Sequence, residues 1–569
     1  MLSMSTLGRL AAFLALTPTA LAKDWEGEPY TWLYQYPLPI APVKQPKMTI
    51  TNPVTKNPID YYEINILPFQ QQVYPTKGKA NLVGYDGMSP GPTFLVEKGR
   101  ETVVRFINNS TLPNAVHLHG SPSRAPWDGW AEDTTQPKQY KDYYYPNSQS
   151  ARTLWYHDHA MDITAVNAYY GQAGAYLIHD SAEDSLGLPS GYGKYDIPLI
   201  LSAKQYNKDG TLYSPASETT SLYGDVIHVN GQPWPYLKVE PRKYRFRFCD
   251  ASISRSFQLY FERQAAAGTK IPFQVIGSDA GLLSSPATTS KLAISMAERY
   301  EVVFDFTNYK GQNITLRSDE KVGADTPYLN TDKVMRFVVS NTAVNDPSTV
   351  PSTLRTIEDL PVKDGTPAHH FKFERQNGEW RINGVGFSDI NNRVLAKPPR
   401  GTVEVWELEN SSGGWTHPVH VHLVDFKVVS RTGGENRGVQ NYEAQGLKDV
   451  VWLNKGETVR VEARYAPWDG VYMFHCHNLI HEDHEMMAAF NATALTDLGY
   501  NETAFIDPME TRWRAKDAVA ADFTPAAITA KVQGMAQLTP YSNVVEVEQK
   551  LEDYWEKHGG ARVKARRIS

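Results

Sequence analysis

The chain has 569 residues, 41% of them hydrophobic and 11% aromatic, with a formal net charge of −6. That length accommodates three or more domains with large cores, and the acidic balance excludes the basic footprint of a nucleic-acid binder. The single long apolar run lies at the N-terminus. There Arg9 precedes Leu10 to Leu16, and Ala20-Leu-Ala22 forms a small-x-small cleavage site. Residues 1–22 therefore read as a secretion signal, too short to span a bilayer. A secreted, extracellular protein without a membrane span is expected.

Beyond the signal a weak repeat occurs three times. The first copy, in residues 45–185, runs from Gly84-Tyr-Asp-Gly through Glu101-Thr-Val-Val-Arg-Phe to His117-Leu-His119, followed by His157-Asp-His159. The second, in 190–345, runs from Val229-Asn-Gly-Gln through Tyr244-Arg-Phe-Arg-Phe to Ser254-Arg-Ser-Phe257, where no histidine stands. The third, in 365–500, runs from Ile382-Asn-Gly-Val through Thr402-Val-Glu-Val-Trp to His417, His420 and His422, then Tyr472-Met-Phe-His-Cys-His-Asn-Leu-Ile-His481 and Met486. Turn signals between alternating strands indicate all-β sandwich domains. The middle copy is expected to be a spacer. In the C-terminal extension, 501–569, Ala515 to Ala530 and Val544 to Lys557 are expected to be helical, ahead of a basic tail from Lys557. Sequons begin at Asn108, Asn109, Asn313, Asn410, Asn491 and Asn501, so a glycoprotein is expected.

The chemistry follows from strand parity. Neighbouring side chains of a strand face opposite ways, so His475 and His477 share a face and Cys476 takes the other. A cysteine, two histidines and a distant methionine form the ligand set of an electron-transfer copper. His481 and Met486 follow the strand, and His417, three residues before His420, faces the side of Cys476. The pairs His117/His119, His157/His159, His420/His422 and His475/His477 give eight imidazoles at i, i+2 spacing, enough for three more copper ions. Because these come from the first and third copies, their cluster must lie between those two domains. A lone His-x-His is more often an ordinary hydrogen-bonded feature, but four among sixteen histidines are not. A structural zinc site would be closed by four ligands, usually with more than one cysteine. His179, His228, His369, His370, His484 and His558 have no such partners and read as structural or solvated. Cys249, the only other cysteine, reads as a small buried hydrophobe, so no disulfide is expected.

Four blocks carry a resemblance: Ala115-Val-His-Leu-His-Gly-Ser, Leu154-Trp-Tyr-His-Asp-His-Ala-Met, Gly414-Trp-Thr-His-Pro-Val-His-Val-His-Leu-Val-Asp-Phe, and Met473-Phe-His-Cys-His-Asn-Leu-Ile-His-Glu-Asp-His. They resemble the copper-binding blocks of multicopper oxidases, the family of laccases, ascorbate oxidases and bilirubin oxidases, and are most similar to the fungal bilirubin oxidases. Ile227-His-Val-Asn-Gly-Gln-Pro-Trp-Pro and Ser295-Met-Ala-Glu-Arg-Tyr-Glu-Val-Val-Phe-Asp-Phe extend the likeness across residues 45 to 510. It implies three cupredoxin-like Greek-key sandwiches with a short C-terminal helical extension.

By the same resemblance, four copper ions are expected. The type 1 ion would take His417, Cys476, His481 and Met486, and the type 2 ion His117 and His420. One type 3 ion would take His119, His157 and His477, the other His159, His422 and His475. Type 1 copper would oxidise an organic reductant and pass electrons through Cys476 to His475 and His477, and the cluster would reduce dioxygen to water. Asp128 and Glu482 are the implied proton donors, whose plainer readings are a turn aspartate and a solvated glutamate. Trp415, two residues before His417, is placed to flank the type 1 ion. The implied reductant is a tetrapyrrole such as bilirubin, with phenols and diphenols or a metal ion as alternatives, and the protein a monomer. A one-copper electron carrier would not need eight further histidines, and a copper-storage protein would show methionine- or histidine-rich tracts, which are absent.

Overall fold

The computed structural model describes residues 28–358, 360, 366–498, 504–541 and 543–558. The expected signal, Asn501 and the tail beyond 558 lie outside the described residues.

Among the described residues the strands form six sheets that fall in chain order into three pairs. In each pair one sheet opens with the same motif: a strand pairs parallel with a second, which pairs antiparallel with a third. The trios are Pro58–Gln71, Glu101–Asn108 and Gln139–Tyr145; Asp196–Lys204, Lys243–Asp250 and Arg299–Asp305; and His369–Gln376, Val403–Asn410 and Glu457–Arg464. This is the structural form of the sequence repeat. Inward residues from both sheets of a pair share one core, as Tyr62, Val104 and Phe106 do with Phe94, Leu154 and Tyr156. Each pair is thus a sandwich. The first and third sandwiches share one continuous apolar cluster, and the middle one has its own.

The C-terminal helices are Pro525–Gln537 and Val544–Lys557. The first begins ten residues later than expected. Pro525 takes the first helical position and the Thr524 side chain accepts from the Ala527 amide, a strong start signal. Before it, Lys516–Asp517 pairs with Tyr140 and Gln139 as an edge strand of the first sandwich. Among the described residues no helix is long and apolar enough to cross a membrane. Asn108 and Asn410 are buried, and their side-chain amides donate to backbone carbonyls, so neither can carry a glycan; Asn109 is exposed. Cys249 and Cys476 are both buried and free.

Candidate metal centre

Two strand pairs build the histidine cluster. Val116–His119 lies antiparallel to Arg152–Asp158, setting His117 opposite His157. His417–Val421 lies antiparallel to Gly470–Cys476, setting His420 opposite His475 and Val419 opposite Cys476. Where the sandwiches meet, His117 Nε2 lies 3.3 Å from His420 Nε2 and His159 Nε2 lies 3.1 Å from His475 Nε2. Ligand atoms gather in three buried groups: His117, His420 and His422; His119, His157 and His477; and His159, His422 and His475.

The outward nitrogens explain what the inward ones are. His117 Nδ1 donates to the Asp128 carbonyl, His157 Nδ1 to the Asp158 carbonyl at 2.8 Å, and His420 Nδ1 to the Asp449 carbonyl at 2.8 Å. His422 Nδ1 lies 2.7 Å from Asp128 Oδ2. A neutral imidazole has one N–H, so the inward Nε2 atoms carry lone pairs. Burial keeps the rings neutral: it pulls His157 down to about 3 and His159 to about 4, and His117, His119, His420, His422 and His477 well below their ordinary value. Facing lone pairs repel, yet they stand 3.1–3.4 Å apart. Two nitrogens bound to one metal at about 2.0–2.1 Å would be about 3.3 Å apart. The residues fit metal ions, and neutral imidazole is the metal-binding form.

The second group is His417, Cys476 and His481. Cys476 Sγ lies 3.3 Å from His417 Nδ1 and 3.6 Å from His481 Nδ1, and those two nitrogens are 3.2 Å apart. Ser412 Oγ, 2.7 Å from His417 Nε2, orients that ring. Burial pushes the Cys476 thiol far up, so a thiolate there requires a cation against it, which a coordinated metal provides. Met486 shares the apolar cluster of Cys476, whereas Met487 belongs to a separate one with Trp130 and Phe387. The loop is tied at both ends: the Met486 amide donates to the His481 carbonyl, and the Cys476 amide to the Met486 carbonyl.

Asp128 closes a short 3-10 turn, Ala125–Trp127, so the turn reading is right as far as it goes. Its side chain, however, points into the cluster. Oδ2 contacts His422, and the buried Oδ1 has no hydrogen-bond partner. Burial raises this carboxyl well above its usual range, with Lys141 offsetting part. Glu482 is buried rather than solvated, with Oε2 2.9 Å from His475 Nδ1 and Oε1 3.6 Å from His159 Nδ1. Burial pushes its carboxyl up, but His475 and His159 outweigh this and hold it at about 2. Two carboxyls beside one cluster thus take opposite protonation states.

Trp415 is half-buried and meets Trp380 edge-on at 5.3 Å; Trp380 is fully buried and stacks on His481 at 3.7 Å. The Arg375 guanidinium lies 5.0 and 4.9 Å over the two indoles. Sequence reasoning missed Trp380, although it stands two residues before the Ile382-Asn-Gly-Val that opens the third repeat. It also missed Asp449, which groups with His119 and His420. Both Asp449 oxygens are engaged by Arg299, so it is not a free metal ligand. The six remaining histidines have ordinary partners: His228 with Tyr206, His179 with Asp184, His369 with Glu404, His370 with Glu409, His484 with the Ile480 carbonyl and His558 with Tyr554.

Two sequence profiles described as multicopper oxidase match residues 69–183 and 359–494. The chain is similar to a bilirubin oxidase of Albifimbria verrucaria, 61% identical over 523 residues and covering 90% of this chain and 91% of that one. It is also similar to a laccase of Bacillus stratosphericus, 34% identical over 77% of this chain and 96% of the laccase. Among solved structures it resembles a laccase from Pediococcus acidilactici, with TM-score 0.71 and 27% identity over 82% of this chain and 95% of that one. McoA multicopper oxidase from Aquifex aeolicus aligns with TM-score 0.71 and 26% identity, over 81% of this chain and 99% of McoA.

Proposed function

This chain belongs to the multicopper oxidase family, copper-dependent oxidoreductases with dioxygen as acceptor, and we propose from that premise the place of each copper and the class of reductant. A type 1 ion is held by His417, Cys476, His481 and Met486. A type 2 ion is held by His117 and His420, and two type 3 ions by His119, His157, His477 and by His159, His422, His475. The observation that carries this is the confrontation of imidazole lone pairs at 3.1–3.4 Å in a buried cluster. Bound copper supplies one-electron oxidation at the Cys476 site and four-electron reduction of dioxygen to water at the cluster.

The chain's own residues do the rest. Cys476 is covalently continuous with His475 and His477, giving a through-bond route between the sites. Asp128 holds a proton at Oδ1 while Oδ2 accepts from His422, and is the donor; Glu482, ionised, orients His475 and receives protons for relay. Opposed protonation of neighbouring carboxyls is the usual signature of such a division. Trp415 and Trp380 lead from the surface to His481. Aromatic faces topped by a guanidinium suit a planar reductant bearing acidic groups and repel a metal cation. We therefore assign a bilirubin-like tetrapyrrole as reductant, with phenols next, and export directed by residues 1–22.

Oxygen uptake with bilirubin, a simple diphenol and ferrous iron, compared side by side, tests the assignment. The tetrapyrrole should give the highest kcat/KM. A preference for ferrous iron would overturn the reductant class, and a protein saturated with zinc and colourless would overturn the copper reading.

A further inference from the structure

The middle sandwich supplies no histidine to the cluster, yet one of its side chains reaches it. Arg299, at the start of strand Arg299–Asp305, is fully buried and donates to acceptors in all three sandwiches. Nε donates to the Thr153 carbonyl at 3.0 Å; Nη1 to the Ala297 carbonyl at 3.1 Å and Asp449 Oδ1 at 2.6 Å; Nη2 to the Asp279 carbonyl at 3.1 Å and Asp449 Oδ2 at 2.5 Å. A guanidinium has five N–H groups, and here each is used. The two-pronged pair fixes the plane of the Asp449 carboxylate.

That carboxylate has a second partner. Asp449 Oδ1 is 3.0 Å from His119 Nε2. His119 differs from four of its neighbours: His117, His157, His420 and His422 point Nδ1 outward, whereas His119 points Nε2 outward and Nδ1 inward, 3.4 Å from His157 Nε2. A proton on Nε2 is what leaves Nδ1 free for a metal, and the carboxylate keeps it there. Gly120, next in the chain, makes room. At φ +89° a Cβ would lie 2.7 Å from both Arg299 Nη2 and Asp449 Oδ2.

We propose that Arg299, from the ligand-free middle sandwich, is a positioning residue of the copper cluster: it holds the Asp449 carboxylate that sets the tautomer and orientation of His119. The inference rests on the copper reading above. A mere brace between sandwiches would, if removed, loosen every copper site alike; a positioning residue acts on the cluster and spares the type 1 ion.

The test compares copper-loaded wild type with Arg299→Met, Arg299→Lys and Asp449→Asn. Each is read by blue absorption per chain, by electron paramagnetic resonance of cluster copper, and by chelator competition. Arg299→Met should keep its blue absorption while cluster affinity falls on the order of 10–100-fold, the usual cost of losing an outer-shell partner. Arg299→Lys, with one contact to Asp449, should recover part of it. Asp449→Asn has one carbonyl oxygen for the three N–H groups that Arg299 and His119 direct at it and should show the same selective loss, so it decides the matter if Arg299→Met does not fold. Unchanged cluster affinity, or an equal loss of blue and cluster copper, would overturn the proposal. A wild type that binds blue copper and no cluster copper would instead overturn the reading beneath it.

Discussion

At the scale of single residues, each proposed role has its own readout. Cys476→Ser should abolish the blue absorption, because no other thiolate stands near a histidine pair: Cys249 is buried elsewhere, its thiol pushed up by burial to beyond the usual range. Copper should remain in the histidine cluster, and anaerobic reductant should no longer deliver electrons. Met486→Leu preserves volume and removes a weak donor that favours the oxidised ion, so redox titration should show a higher type 1 potential. An unchanged potential would remove Met486 from the site. Asp128→Asn keeps shape and removes the titrating proton. Reduction of the blue site by substrate without oxygen should stay normal, while reoxidation on oxygen mixing should fall by about 10²-fold or more, the scale of a positioned acid. The sign of the pH effect follows from burial. A carboxyl raised above its usual range donates below its own pKa and stops above it, so wild-type reoxidation should fall on the alkaline side, and the Asn variant should lack that limb. Slow reduction with normal reoxidation would place Asp128 at the reductant instead. Of these residues, Cys476 was legible because a strand's period of two sorts neighbouring side chains by face, and Met486 because the copper ligand set calls for a distant thioether; Asp128 was legible only through the family resemblance. Trp380, Asp449 and Arg299 were not, because each meets its partner across a large gap in sequence that no local period reports.

Elements set these residues in place, and their limits show where sequence reasoning stops. Alternation placed His475 and Cys476 on opposite faces, and the structure pairs them with His420 and Val419 accordingly. The same logic missed the start of the C-terminal helix by ten residues, because an alanine-rich stretch signals helix while strand pairing and a Thr-Pro cap depend on neighbours. The turn carrying Asp128 is held by a glycine that composition alone does not single out. Gly129 has φ +86°, and a Cβ there would lie 2.6 Å from the Val116 carbonyl and 2.8 Å from the His117 Cα. Gly129→Ala should therefore cost about 1–2 kcal/mol for the left-handed backbone alone, and the clash falls on the strand that bears His117. Copper counting should show cluster copper lost ahead of blue copper. Equal retention of both would mean that the turn yields without disturbing the histidines.

At the scale of the whole molecule, histidine bookkeeping between repeats already implied a site shared by the first and third sandwiches. What that count left blank is the C-terminal extension, and its packing gives it a task. Phe505, Trp513 and Tyr541 surround the buried Trp127 at centroid distances of 5.4, 5.0 and 5.9 Å. Trp127 is the neighbour of Asp128. Tyr541 Oη donates to the Tyr144 carbonyl at 2.7 Å and accepts from the Arg124 amide at 3.1 Å, so the extension is bonded to the residue that caps the start of that turn. Tyr541→Phe keeps the ring and strips both bonds, leaving a buried carbonyl and a buried amide unpaired, a local cost of about 1–3 kcal/mol. A chain of several sandwiches need not unfold in one step, so a single melting temperature is the wrong measure. Amide hydrogen exchange resolves the effect by region. Residues 124–129 should exchange faster in the variant, while the middle sandwich, which the extension's aromatic cage does not include, should keep its wild-type protection. Uniform acceleration would mean that Tyr541 supports the molecule generally, and no acceleration that the aromatic cage alone holds the turn.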